Sequence, residues 1–111
     1  MNVLKDILYK VSLTATYGDM ERRVSGLVFD SRKVQENYAF VAVKGTQVDG
    51  HDFTSLALEN GATTIICEQL PEVLATGITY IQVVDSAKAL GIIAANFYSN
   101  PSDKIKVVAV T

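Results

Sequence analysis

Hydrophobic and polar positions follow two rhythms along this chain, and the alternation between them predicts its elements. Leu4, Ile7 and Leu8 have the spacing of the apolar face of a short amphipathic helix. Val24 to Phe29 reads as a strand ending at Asp30-Ser31-Arg32, and Tyr38 to Val43 as a second strand that stops at Lys44-Gly45. A helix is predicted over about Asp52 to Glu59, with Phe53, Leu56 and Ala57 on one face and Asn60-Gly61 as its stop. Thr63 to Cys67 is continuous and β-branched, as a strand buried on both faces requires. Tyr80 to Val84 is a further strand, and Asp85 stands ready to cap a helix over Ser86 to Tyr98 with Leu90, Ile93, Ala94 and Phe97 as its apolar stripe. After the turn at Asn100-Pro101-Ser102-Asp103, Ile105 to Val110 reads as a last strand.

Strands separated by helices of about ten residues predict an α/β fold, a three-layer sandwich with a mixed β-sheet flanked by helices. The close pair of early strands is what suggests a mixed rather than a purely parallel sheet. No repeat or low-complexity stretch divides the chain, so residues 1–111 are read as one domain. The apolar strand at Ile105 to Val110 is followed by a single residue, Thr111, where an open α/β sheet would place a functional loop. The expectation is a domain cut from a longer protein.

Composition narrows the classes of function. Of 111 residues, 49% are hydrophobic and 20% charged, which suits a folded domain with a core. The net charge is -2 and the basic residues are dispersed, which argues against nucleic acid as a partner. No apolar run approaches the length of a membrane span, so no membrane insertion is expected. The amino end lacks the pattern of a signal peptide, and the single cysteine, Cys67, cannot form an internal disulfide; both point to the cytoplasm. Cys67 lies in an apolar strand with no basic neighbour, and is read as a buried structural thiol.

Three places carry candidate chemistry. Gly45-Thr46-Gln47-Val48-Asp49-Gly50 has the glycine spacing of a phosphate-binding loop. However, His51 and Asp52 stand where that loop needs Lys and Ser or Thr, so the segment is read as a glycine-rich turn whose backbone N–H groups can meet a ligand. The plain alternative is a strand-to-helix connection. His51 is the only histidine, so a histidine metal cluster is excluded and no metal site is assigned. Asp30-Ser31-Arg32 ends a strand, where α/β proteins place ligand contacts: serine offers a donor and acceptors, and arginine a fork of donors suited to phosphate. Beside this stands an ordinary Asp turn with an exposed Ser and an Arg paired to a carboxylate. No Gly-x-Ser-x-Gly elbow surrounds Ser31. The chain offers a binding site more readily than a catalytic one.

Val28-Phe29-Asp30-Ser31-Arg32, Phe40 to Gly45 and Asp49-Gly50-His51-Asp52-Phe53, in this order, resemble the N-terminal domain of the ATP-dependent Mur ligases. Phe97 to Ser102 followed by Val107 to Thr111 is most similar to those members that add the third residue of the peptidoglycan stem peptide. The resemblance implies a domain that holds the uridine nucleotide part of UDP-N-acetylmuramoyl-L-Ala-D-Glu. Phe29 would wall the uracil, Ser31 would hydrogen-bond the nucleotide, and Thr46, Gln47 and Val48 would supply contacts from the glycine turn, Gln47 foremost. Arg32 would approach the diphosphate or brace the motif. ATP and magnesium would act in the remaining domains of the same ligase, leaving this chain with no cofactor and no catalytic residue of its own, catalytically silent in isolation and at most a weak binder of the UDP-sugar. The equivalent domain of the ligase that adds D-Ala-D-Ala is the nearest alternative, and Gly50-His51-Asp52-Phe53 suits it. A stand-alone, non-catalytic nucleotide-binding module is a further one.

Overall fold

The computed structural model describes residues 2–43 and 53–98. The predicted glycine turn at Gly45 to Gly50, with His51 and Asp52, and the predicted strand Ile105 to Val110 lie outside the described residues. In chain order the elements are β1 (Asn2–Val3), α1 (Leu4–Ile7), β2 (Leu13–Tyr17), β3 (Arg23–Val24), β4 (Gly26–Val28), a 3-10 turn (Ser31–Lys33), β5 (Tyr38–Val41), α2 (Thr54–Glu59), β6 (Thr64–Cys67), β7 (Thr79–Val83) and α3 (Ser86–Tyr98).

A five-stranded sheet in the order β2-β7-β6-β5-β4 forms the middle layer. Strands β4, β5, β6 and β7 are mutually parallel, with Phe40 opposite Ile65 and Ile66 opposite Ile81, while β2 runs antiparallel to β7 at the edge. Side chains alternate between the two faces as the pleat demands. Ala39, Val41, Ile66 and Ile81 point to one side, where they join Leu4, Ile7 and Leu8 near α1 and Ala89 and Ile93 from α3. Phe40, Ala42, Ile65, Cys67 and Tyr80 point to the other and meet Val34 and Ala57. Layers of helix, sheet and helix are therefore built from strands apolar on both faces, and the α/β sandwich with a mixed sheet is the observed fold.

Four local expectations are corrected. The predicted strand over Val24 to Phe29 is two strands, because the chain changes partner at Ser25. Val24 pairs with Asn2 in a small separate sheet, whereas Gly26 pairs with Tyr38 in the main one. The second predicted strand ends at Val41 rather than Val43. The mixed character of the sheet does not come from the early pair, since β4 and β5 are parallel. It comes from β2, an edge strand whose residues are mostly exposed and whose pairing is interrupted by a bulge between Leu13 and Ala15. Finally, α2 turns Thr54 and Ala57 inward, and Phe53 and Leu56 are exposed. A helix of six residues lying on the sheet through the small side chain of Ala57 leaves no room for the wider stripe.

Polar side chains fasten the outer layers. Asn96, inside α3, donates through Nδ2 to the carbonyls of Ile7 (2.9 Å) and Tyr9 (2.7 Å), satisfying acceptors at the end of α1. The start of α3 is held by Glu68, whose Oε2 accepts from both the backbone N–H and the hydroxyl of Ser86 at 2.7 Å. Asp85 caps the same turn through the N–H of Lys88 (3.1 Å), as its position before the helix predicts. Among the described residues no helix is long and apolar enough to cross a membrane.

Candidate ligand-binding edge

All four parallel strands end on the same side of the sheet, so the segments following them share one edge. Phe29 follows β4 directly and is 62% exposed, an aromatic face left in solvent at that edge. The chain then tightens into the 3-10 turn. Asp30 stands before this turn in extended conformation, and its Oδ1 accepts the backbone N–H of Arg32 at 3.0 Å, as a capping aspartate does. The guanidinium of Arg32 returns to the same carboxylate, with Nε on Oδ1 at 3.1 Å and Nη2 on Oδ2 at 2.9 Å. Hydrogen bonds from the Arg32 side chain and then its backbone, with the charges of Arg32 and Lys33, outweigh desolvation and hold the Asp30 carboxyl at about 2, below its usual 3.8. The same hydrogen bond from Arg32 to Asp30 raises the Arg32 pKa.

Ser31 is 5% exposed, not the open serine of the Asp-turn alternative, although the turn and the arginine–carboxylate pair of that alternative are both present. Its carbonyl accepts from Asn60 Nδ2 at 2.8 Å, which ties the turn to the carboxyl end of α2. Phe29, Ser31 and Arg32 are thus brought together in one short segment. Thr46, Gln47 and Val48 lie outside the described residues. Asn60 is the C-cap of α2, with Gly61 behind it at φ +116°, as the sequence predicts; its side-chain bond to Ser31 has no signal in the sequence.

A separate depression of about 300 Å³ opens at the carboxyl end of β7, lined by Lys10, Ser12, Val84, Asp85, Lys88 and Ile92 among others. It contains none of the predicted site residues. Three strand spacings, about 14 Å, separate β7 from β4. Among the described residues no cluster of three histidine, cysteine or carboxylate side chains is placed to hold a metal ion. Cys67 is buried at the end of β6, and burial pushes its thiol from 9.0 to about 11, the environment of a structural cysteine.

The described residues form an α/β domain with an exposed aromatic and a capped turn after its first parallel strand. Its family follows from residues 23–98, which match the model described as Mur ligase family, catalytic domain. The chain belongs to the Mur ligase family. It is 50% identical over 109 residues to the UDP-N-acetylmuramoyl-L-alanyl-D-glutamate–2,6-diaminopimelate ligase of Cytophaga hutchinsonii, a match covering 97% of this chain and 22% of that protein. The ligase of the same name from Fusobacterium nucleatum is 41% identical over 111 residues, covering 100% and 22%. The chain thus spans about a fifth of the length of the curated relatives it matches. Among solved structures, the MurF ligase from Thermotoga maritima in complex with ADP is similar with a TM-score of 0.56 and 39% identity, over 67% of this chain and 17% of that one. A MurF structure from Acinetobacter baumannii gives 0.57 and 30%, over 65% and 15%.

Proposed function

We propose that this chain is the N-terminal, nucleotide-holding domain of a cytoplasmic ligase that adds the third residue of the peptidoglycan stem peptide. The substrate would be UDP-N-acetylmuramoyl-L-Ala-D-Glu, with its uridine nucleotide held at the carboxyl edge of the sheet. The observation that carries this reading is the exposed ring of Phe29 beside the Asp30-capped turn of Ser31 and Arg32. The name shared by the Cytophaga and Fusobacterium relatives favours 2,6-diaminopimelate as the residue added.

Phe29 offers a flat apolar surface on which a pyrimidine can stack. The Ser31 hydroxyl and the Arg32 guanidinium, with Thr46, Gln47 and Val48 in the segment after β5, would supply the polar contacts. Arg32 already spends its Nε and one Nη2 proton on Asp30, and so presents its remaining N–H groups as a held fork rather than a free one. ATP and magnesium would be bound by the remaining domains of the ligase. Among the described residues there is no donor set for the metal.

Calorimetric titration with UDP-N-acetylmuramoyl-L-Ala-D-Glu tests the reading. Binding by the chain and a loss of roughly tenfold or more in Phe29→Ala are expected; equal binding by the two proteins contradicts it. The chain alone is expected to show no ATP hydrolysis dependent on that substrate, and clear turnover would refute the assignment of the chemistry to other domains.

The equivalent domain of the D-Ala-D-Ala-adding ligase is a second reading, favoured by the MurF structures at TM-scores of 0.56 and 0.57. The diaminopimelate ligase relatives match nearly the whole chain, against about two thirds for the MurF structures, which supports the first reading.

A further inference from the structure

We propose that Asn60 is a positioning residue of the nucleotide edge, acting through the backbone of Ser31. This rests on the reading of Phe29, Ser31 and Arg32 as ligand contacts. The backbone of Asn60 is ordinary right-handed helix, at φ -84° and ψ -4°, so its conformation makes no demand for asparagine. The left-handed corner belongs to the next residue, Gly61. What asparagine adds at position 60 is an amide, and that amide reaches 29 positions back along the chain to the Ser31 carbonyl at 2.8 Å.

The local bonds of the 3-10 turn gather on Asp30, which takes three from Arg32, and leave the Ser31 carbonyl weakly held. Lys33 N–H meets the Asp30 carbonyl at 2.9 Å, and Val34 N–H meets the Ser31 carbonyl only at 3.4 Å. The Asn60 bond is therefore the shorter of the two on that carbonyl. The next residues of the two segments are joined as well. Asn37 N–H donates to the Gly61 carbonyl at 3.0 Å, and a Cβ on Gly61 would lie 2.9 Å from Glu36 Cα. The carboxyl end of α2 is thus joined to Ser31 and to the stretch from Gln35 to Asn37. In the chain, α2 follows the segment containing Thr46, Gln47 and Val48. Asn60 consequently joins the element downstream of one set of proposed contacts to the turn that carries the other.

The test compares UDP affinity, by calorimetry, of the chain with Asn60→Ala, Asn60→Asp and Ile93→Val. Circular dichroism fixes a temperature at which every protein is folded. Asn60→Asp keeps the shape and removes the donor, and it carries the same reading if Asn60→Ala does not fold. Ile93→Val loosens the core on the opposite face of the sheet. The expected result is UDP binding weakened roughly tenfold in the Asn60 variants, unchanged in Ile93→Val, with displaced Ser31 and Arg32 amide NMR signals before ligand is added. Unchanged UDP affinity in the folded Asn60 variants, with Phe29→Ala impaired, overturns this inference alone. No binding by the wild-type chain, or full binding by Phe29→Ala, overturns the nucleotide reading and this inference with it.

Discussion

Asp30 accepts three hydrogen bonds from a single neighbour, Arg32, one from its backbone and two from its guanidinium. Its carboxyl is lowered from 3.8 to about 2, so it stabilises the folded state above about pH 4, and this contribution is lost as pH falls toward 2. Asp30→Asn is expected to lower the urea midpoint at pH 7 and to differ progressively less from wild type between pH 4 and 2. A difference that stays constant over that range contradicts the assignment. Cys67 has the opposite sign. Its thiol is raised to about 11 by burial, so the stability it contributes is present below pH 9 and is lost as pH rises through 9 toward 11. A chromogenic disulfide reagent at pH 8 is expected to label Cys67 at once in urea but slowly in the folded protein. Immediate labelling of the folded chain would show an accessible thiol.

At the scale of elements, the parallel strands were legible because their residues are apolar on both faces, and the short β-branched run at Thr64 to Cys67 suits a buried strand. Strand β2 was not, although Leu13 to Tyr17 alternates apolar and polar residues: the run is only five residues long and lies at an edge, where few of its side chains need to be apolar. The division at Ser25 does leave a mark, the Ser25-Gly26 dipeptide that interrupts the apolar run where the strand changes partner. The inward face of α2 was misread because Ala57 and Thr54, being small, permit a close approach that the larger Phe53 and Leu56 do not. Asn96 shows the same limit in a polar residue. Helical periodicity places it on α3 but says nothing of the two carbonyls it satisfies on and after α1. Asn96→Ala is expected to cost about 1–2 kcal/mol in chemical denaturation, since those acceptors lose their shared donor. A cost near zero would mean that solvent replaces the amide fully.

For the whole molecule, the architecture places Phe29, Ser31 and Arg32 at the carboxyl edge of β4, while the depression between Lys10 and Lys88 lies three strands away. In the sequence this edge is marked by Asp30-Ser31-Arg32 at a strand end and by Phe29 through the family resemblance. The brace supplied by Asn60 required the fold, since 29 positions separate it from Ser31. The family match over residues 23–98 contains both. The central claim is that uridine nucleotide binds at the β4 edge, and two-dimensional amide NMR with UDP titrated into the chain tests it most directly. Shifts concentrated on Phe29 to Lys33 are predicted. Shifts confined to Lys10, Ser12 and Lys88, or none at all, would contradict it.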